Sequence, residues 1–118
     1  MIEEQLISFQ VAKLAKEKGC TLNTPKAYND NGVLVIQSNY PSYIDELDIS
    51  APTQSLLQKW LREVHNVSIK IDDYYTNSRV RFDYNVCQLG SQEDNPVGIF
   101  ETYEEALEIG LYQALVLL

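Results

Sequence analysis

Few residues of this 118-residue chain combine a chemically active side chain with a spacing that would let them act together. The single histidine, His65, ends a predicted helix. At this position, complementing the negative end of the helix dipole is favoured over binding a metal as a ligand. Asp72 and Asp73 are adjacent, and neighbours on a strand face opposite sides. They would therefore not share a proton as a catalytic dyad does.

The two cysteines, Cys20 and Cys87, are the remaining candidate nucleophiles or metal ligands. Neither has a second cysteine at metal-binding spacing, and only Lys16 and Lys18 lie close enough in sequence to activate Cys20. The chain has no glycine-rich phosphate loop and no GxSxG motif. The acidic stretch 93–95 also lacks the alternating oxygen ligands of a calcium loop. We predict no catalytic residue, no metal site and no cofactor, and a protein that is not an enzyme.

Tyrosine is the residue type that most suggests binding, because an aromatic ring with a polar tip suits a protein interface. Four of the eight tyrosines fall in predicted loops or at strand ends, and the irregular stretch 39–51 places three acids among apolar residues. The predicted binding surface comprises Tyr40, Tyr43, Asp45, Glu46, Asp48, Tyr74 and Tyr75. The alternative is that half of the tyrosines complete the core and its rim, and that 39–51 is an ordinary surface loop.

The charge balance narrows the class of partner. Seventeen acidic and nine basic residues give a net charge of -8, which repels phosphate backbones and anionic membranes. The best local basic patch is only two residues, Arg79 and Arg81, among neighbouring acids. We therefore expect no direct nucleic-acid binding. No apolar run reaches the roughly 20 residues of a membrane span, and the N-terminus lacks a signal-peptide pattern. We expect no membrane partner and a cytoplasmic location.

Three helices are predicted from apolar periodicity and end signals. The first covers about 9–18, with Ser8 as N-cap and Gly19 as the left-handed stop. The second covers about 52–64, with Ser50 or Ala51 at its cap and Asn66 after its end. The third begins at Thr102, which forms a capping box with Glu105, and its last residues, 116–118, are expected to dock in the core.

Two hairpins complete the predicted fold. Asn31-Gly32 favours a two-residue turn between strands at 26–30 and 33–38. Strands near 67–75 and 78–87 are joined through a turn at 76–78, with one wet face that carries Lys70, Arg79, Arg81 and Asp83. Residues 97–100 add a short strand. We predict a single α+β domain, 1–118, with about four antiparallel strands in one small sheet, three helices mainly on one face, and residues 1–7 as a mobile or loosely docked arm.

Three segments carry a resemblance to known proteins. They are LISFQVAKLAKEKG, SAPTQSLLQKWLREVHNVSIKI and YEEALEIGLYQALVLL, and together they cover a little under half of the chain. They resemble small uncharacterised proteins encoded by bacteriophages and prophages. The resemblance implies a phage or prophage origin and an intracellular role, and it implies no activity and no site residues.

Three functional hypotheses follow. The first is a non-catalytic module that binds a host or phage protein through the 39–51 loop and the exposed tyrosines. The second is an acidic decoy of a nucleic-acid-binding protein, which the net charge suggests. The third is a small enzyme with an unrecognised site on the wet sheet face. A homodimer is compatible with each of them.

Overall fold

The computed structural model describes residues 4–22, 24–29, 31–36, 49–88 and 97–118. These residues form three α-helices and two three-stranded antiparallel sheets. In chain order the elements are α1 (Phe9–Glu17), β1 (Lys26–Tyr28), β2 (Leu34–Ile36), β3 (Ile49–Ser50), α2 (Gln54–His65), β4 (Val67–Thr76), β5 (Arg79–Gln88), β6 (Val97–Phe100) and α3 (Tyr103–Val116). The α+β class with three helices is confirmed.

The prediction of one sheet of about four strands is wrong. The strand order is β2-β1-β3 in one sheet and β4-β5-β6 in the other, so each hairpin takes its third strand from elsewhere in the chain. Ile49 and Ser50, which lie in the stretch predicted to be irregular, pair with β1 as β3. A two-residue strand is too short to show an alternating pattern, which is why the sequence did not reveal it.

Most helix ends are those that the sequence predicts. The hydroxyl of Ser8 accepts a hydrogen bond from the N–H of Val11 at the start of α1. Asn66 takes a left-handed conformation (φ 56°) after α2. The hydroxyl of Thr102 accepts from the N–H of Glu105 at the start of α3. These caps depend on local sequence alone, because each pairs groups within five residues of one another.

The start of α2 differs from the prediction. The helix begins at Gln54, and its N-cap is Thr53, whose hydroxyl accepts from the N–H of Leu56 at 3.2 Å. Ser50, one of the two predicted caps, lies in β3 and donates its hydroxyl hydrogen to the carbonyl of Leu22. The chain before α2 is therefore extended, and tertiary pairing has taken Ser50 away from a capping position.

The two hairpin turns also differ from expectation. The N–H of Gly32 donates to the carbonyl of Asn29, and the N–H of Asn29 donates to the carbonyl of Val33, which closes a three-residue loop rather than the predicted two-residue turn. The tight two-residue turn is at Asn77-Ser78, where both residues have positive φ (51° and 62°). This turn fixes a ten-pair register between β4 and β5.

The core lies where α1, α2 and α3 meet β4. It contains Ile7, Val11, Ala12, Ala15, Cys20, Leu57, Leu61, Val67, Ile69, Leu107, Leu111, Ala114 and Leu115. Residues 4–7 are docked: Leu6 bridges to Thr53, the N–H of Ile7 donates to the carbonyl of Pro52, and Ile7 is fully buried. Residues 1–7 were predicted to be either mobile or loosely docked, and residues 4–7 are docked.

The end of α3 departs from the expected docking. Val116 and Leu117 are about half exposed, and only the half-buried Leu118 packs against the core. Leu115 is the last fully buried residue. None of the three helices in the described ranges is long and apolar enough to cross a membrane.

Candidate functional site

The β4–β5 hairpin is only partly covered by helices. On its helix-facing side, burial decreases along β4 from Ile69, which is buried, to Asp73, which is exposed, and Tyr75, which is 82% exposed. Residues 73–82 thus include the part of the hairpin that extends past the helical layer, and we call them the hairpin tip. A surface that protrudes beyond the core is available to a partner without any rearrangement of the fold.

Apart from the exposed Asp73, the helix-facing side of the hairpin tip is aromatic and apolar. Tyr75 lies directly opposite Val80 in the ladder, and Val80 is 37% exposed. Phe82, the next residue on that side of β5, meets the ring of Tyr103 edge-on, with ring centroids 6.2 Å apart. Phe82 also pairs with Phe100 of β6. These contacts make an apolar strip that runs from the start of α3 to the end of the hairpin.

The opposite side of the hairpin tip is polar. Tyr74 is half-buried and lies across from Arg81. One guanidinium nitrogen of Arg81 is 3.7 Å from a carboxylate oxygen of Glu101. Arg79 is exposed beside the turn. The predicted binding residues Tyr74 and Tyr75 therefore point to opposite sides of the hairpin, and only Tyr75 is widely exposed.

The sheet face that was expected to be solvent-exposed at β5 is largely withdrawn from water, which corrects that prediction. Lys70 and Arg79 are exposed, but the side chain of Arg81 is only 20% exposed. Asp83 is half-buried, and its Oδ1 is buried without a hydrogen-bond partner. Asn85, on the same side, is buried as well. Alternation assigned these residues to one face correctly, but it could not show how far that face is withdrawn from water.

A carboxylate pair on this face was missed by sequence reasoning. Asp72 stands directly opposite Asp83 in the register, and the ammonium of Lys70 is 3.6 Å from Asp72. Placing the two-residue turn at 77–78 would have predicted this pair, because the register follows from the turn. The neighbouring Asp73 lies opposite Phe82, as expected for two residues that face different sides.

A second polar cluster joins the three helices. The side-chain nitrogen of the buried Gln54 donates to the carbonyl of Glu104 and to a carboxylate oxygen of Glu108, both at 3.0 Å. The other carboxylate oxygen of Glu108 accepts from the N–H of Ser8 at 2.9 Å. A surface cavity of about 260 Å³ is lined in part by Gln54, Gln58 and Glu104. The side chains of Gln54 and Glu108 are thus already bonded within the protein, and their evident role is to hold α1, α2 and α3 together.

The remaining chemically active residues lie in structural positions. Cys20 is buried, and this burial raises the pKa of its thiol, which opposes nucleophilic attack. Cys87 is half-buried, and both thiols are free. His65 is in the last turn of α2 and meets Trp60 edge-on, with ring centroids 4.7 Å apart. In the described parts of the chain, no three acidic, histidine or cysteine side chains converge as metal ligands would.

Five of the seven predicted binding residues, Tyr40, Tyr43, Asp45, Glu46 and Asp48, lie outside the described residues, so their assignment stays a prediction. No protein family, curated protein or solved structure was found to match this chain. The functional assignment therefore depends on the surface of the molecule itself.

Proposed function

We propose that this protein is a non-catalytic binding module that contacts a host or phage protein through its hairpin tip. The observation that carries the proposal is Tyr75, which is 82% exposed and lies opposite Val80 beyond the helical layer. Tyrosine is one of the residue types enriched at energetically important interface positions. The phage or prophage origin implied by the resemblance is part of the same proposal.

The backbone of the tip supports this role. Ten consecutive ladder pairs and a two-residue turn hold Tyr75 and Val80 in one register. A surface that is ordered before binding loses less conformational entropy on association. The predicted acidic and tyrosine residues of the 39–48 stretch would extend the contact, and they remain part of the proposal.

The test is a pull-down of the tagged protein from host-cell lysate at low and high salt, read by mass spectrometry. The wild type is compared with a Tyr75→Ser/Val80→Thr variant, and Val64→Thr is the matched control. Val64 is 58% exposed on α2, so the control removes an exposed apolar residue away from the tip. All three proteins are first compared by urea unfolding.

The proposal expects one protein that survives high salt, binds the control and is lost from the tip variant. A partner that binds the tip variant as well as the wild type would contradict the hairpin tip as the contact surface. A set of basic proteins that disappears at high salt would instead favour the acidic-decoy hypothesis, since such contacts are screened by ions.

A further inference from the structure

The outward face of α3 is unusually apolar for a helix surface. The helix buries Ala106, Leu107, Gly110, Leu111, Ala114 and Leu115. On the side away from these residues, Ile109, Tyr112 and Val116 are 41%, 40% and 51% exposed. With 3.6 residues per turn, these three and Glu105 fall within an arc of about 60°. We call these four residues the outer stripe.

The spacing of the outer stripe is that of a helix-pairing seam. Successive members are four, three and four residues apart, the a/d repeat that lets side chains of one helix enter the gaps of another. This spacing is the same when read in either direction. A two-fold axis at the 110–111 step would place Ile109 level with Tyr112 of a second copy, and Glu105 level with Val116.

The charges around α3 favour an antiparallel second copy. The first half of α3 carries Glu104, Glu105 and Glu108, and the helix contains no lysine or arginine. Its other end is beside a lysine: the ammonium of Lys18, at the end of α1, donates to the carbonyl of Leu118 at 3.3 Å. An antiparallel pair would place the acidic end of each copy near the lysine end of the other. A parallel pair would place acid against acid.

We infer that a second copy of this chain packs antiparallel on the outer stripe, which forms an isologous homodimer. A two-fold interface requires a patch that is complementary to itself. The outer stripe meets this requirement in its spacing, and Lys18 at one end of α3 with the acids at the other supplies the complementary charges. The contact is limited to one helix of 14 residues, about 21 Å long. The dimer is therefore weak, with a dissociation constant on the order of 100 µM.

The test is sedimentation equilibrium of the untagged protein at about 10 to 500 µM and physiological salt. The wild type is expected to move from monomer mass towards dimer mass across this range. Val116→Glu should weaken self-association about tenfold or more, because it places a carboxylate level with Glu105 of the other copy. Val116→Lys should retain or strengthen association, because it places an ammonium there.

Gln113→Glu is the matched control, since it adds the same charge at an exposed position of α3 that lies outside the outer stripe. All substituted residues are exposed, and equal urea midpoints establish that each variant is folded. A wild type that stays monomeric throughout would overturn the inference. So would association that Val116→Glu leaves unchanged, and equal weakening by Val116→Glu and Val116→Lys would overturn the antiparallel arrangement. The hairpin tip is unchanged in these variants, so this result is independent of the proposed function.

Discussion

Gly110 of α3 lies so close to Ile69 of β4 that a Cβ added at Gly110 would be 2.9 Å from the Cγ2 of Ile69. The same added atom would be 3.4 Å from the Cβ of Tyr84. A glycine in the middle of a helix normally costs about 1 kcal/mol relative to alanine. Here the absence of a side chain at Gly110 allows α3 to pack close to β4 and β5.

Gly110→Ala is therefore expected to lower the free energy of unfolding, by about 1 kcal/mol. Overpacking costs about 1–3 kcal/mol, which outweighs the gain in helix propensity. Urea unfolding measures the change, and Gln113→Ala, on the exposed side of α3, should change it by less than about 0.5 kcal/mol. In an Ile69→Ala background, Gly110→Ala should become neutral or stabilising. A stabilising effect in the wild-type background would mean that the contact is not tight.

Alkaline pH is expected to destabilise the fold. Burial raises the pKa of the Cys20 thiol and of the Tyr84 hydroxyl, and burial together with the negative charge of Glu108 raises the pKa of Tyr28. Above about pH 9 the unfolded chain releases these protons while the native protein retains them. The native state then binds more protons than the unfolded state, and stability falls as pH rises.

Tyr28→Phe provides the comparison for this pH dependence. The hydroxyl of Tyr28 donates to the carbonyl of Ile7 at 2.6 Å, so the variant should lose about 1 kcal/mol near neutral pH. Between pH 8 and 10.5 (about the range of the ordinary thiol and phenol pKa values), its urea midpoint should decline less steeply than that of the wild type. Parallel declines for the two proteins would show that Tyr28 does not contribute to the alkaline loss.

Asp83→Asn is expected to stabilise the protein by about 0.5–1 kcal/mol. Like charges directly opposite each other in a ladder are unfavourable, and Asp83 stands opposite Asp72 with a buried, unpartnered oxygen. Asp73→Asn is the control, because this exposed carboxylate lies opposite Phe82. It should change the urea midpoint little. A loss of stability on Asp83→Asn would indicate that this carboxylate has a favourable partner in solution.

Local features of the fold were predictable because their causes are local. Ser8, Asn66 and Thr102 end their helices through bonds to groups a few residues away. The alternation of β4 likewise assigned Ile69 and Ile71 to the core side without knowledge of the rest of the chain. The aromatic character of Tyr74 and Tyr75 and their opposite orientations on the strand were visible in the same way, but their unequal exposure was not.

What only the tertiary structure decided are the relationships between distant segments. Ser50 does not cap α2, because it pairs with β1 as part of β3. Ile7 is a core residue because residues 4–7 pair with the chain before α2. The sequence by itself determined most of the helix ends, the side to which each residue of β4 and β5 points, and the net charge. The division into two sheets, the length of hairpin left uncovered and the exposed outer stripe of α3 depend on which elements cover which surfaces. Burial is a property of the packed molecule, and no local pattern contains it.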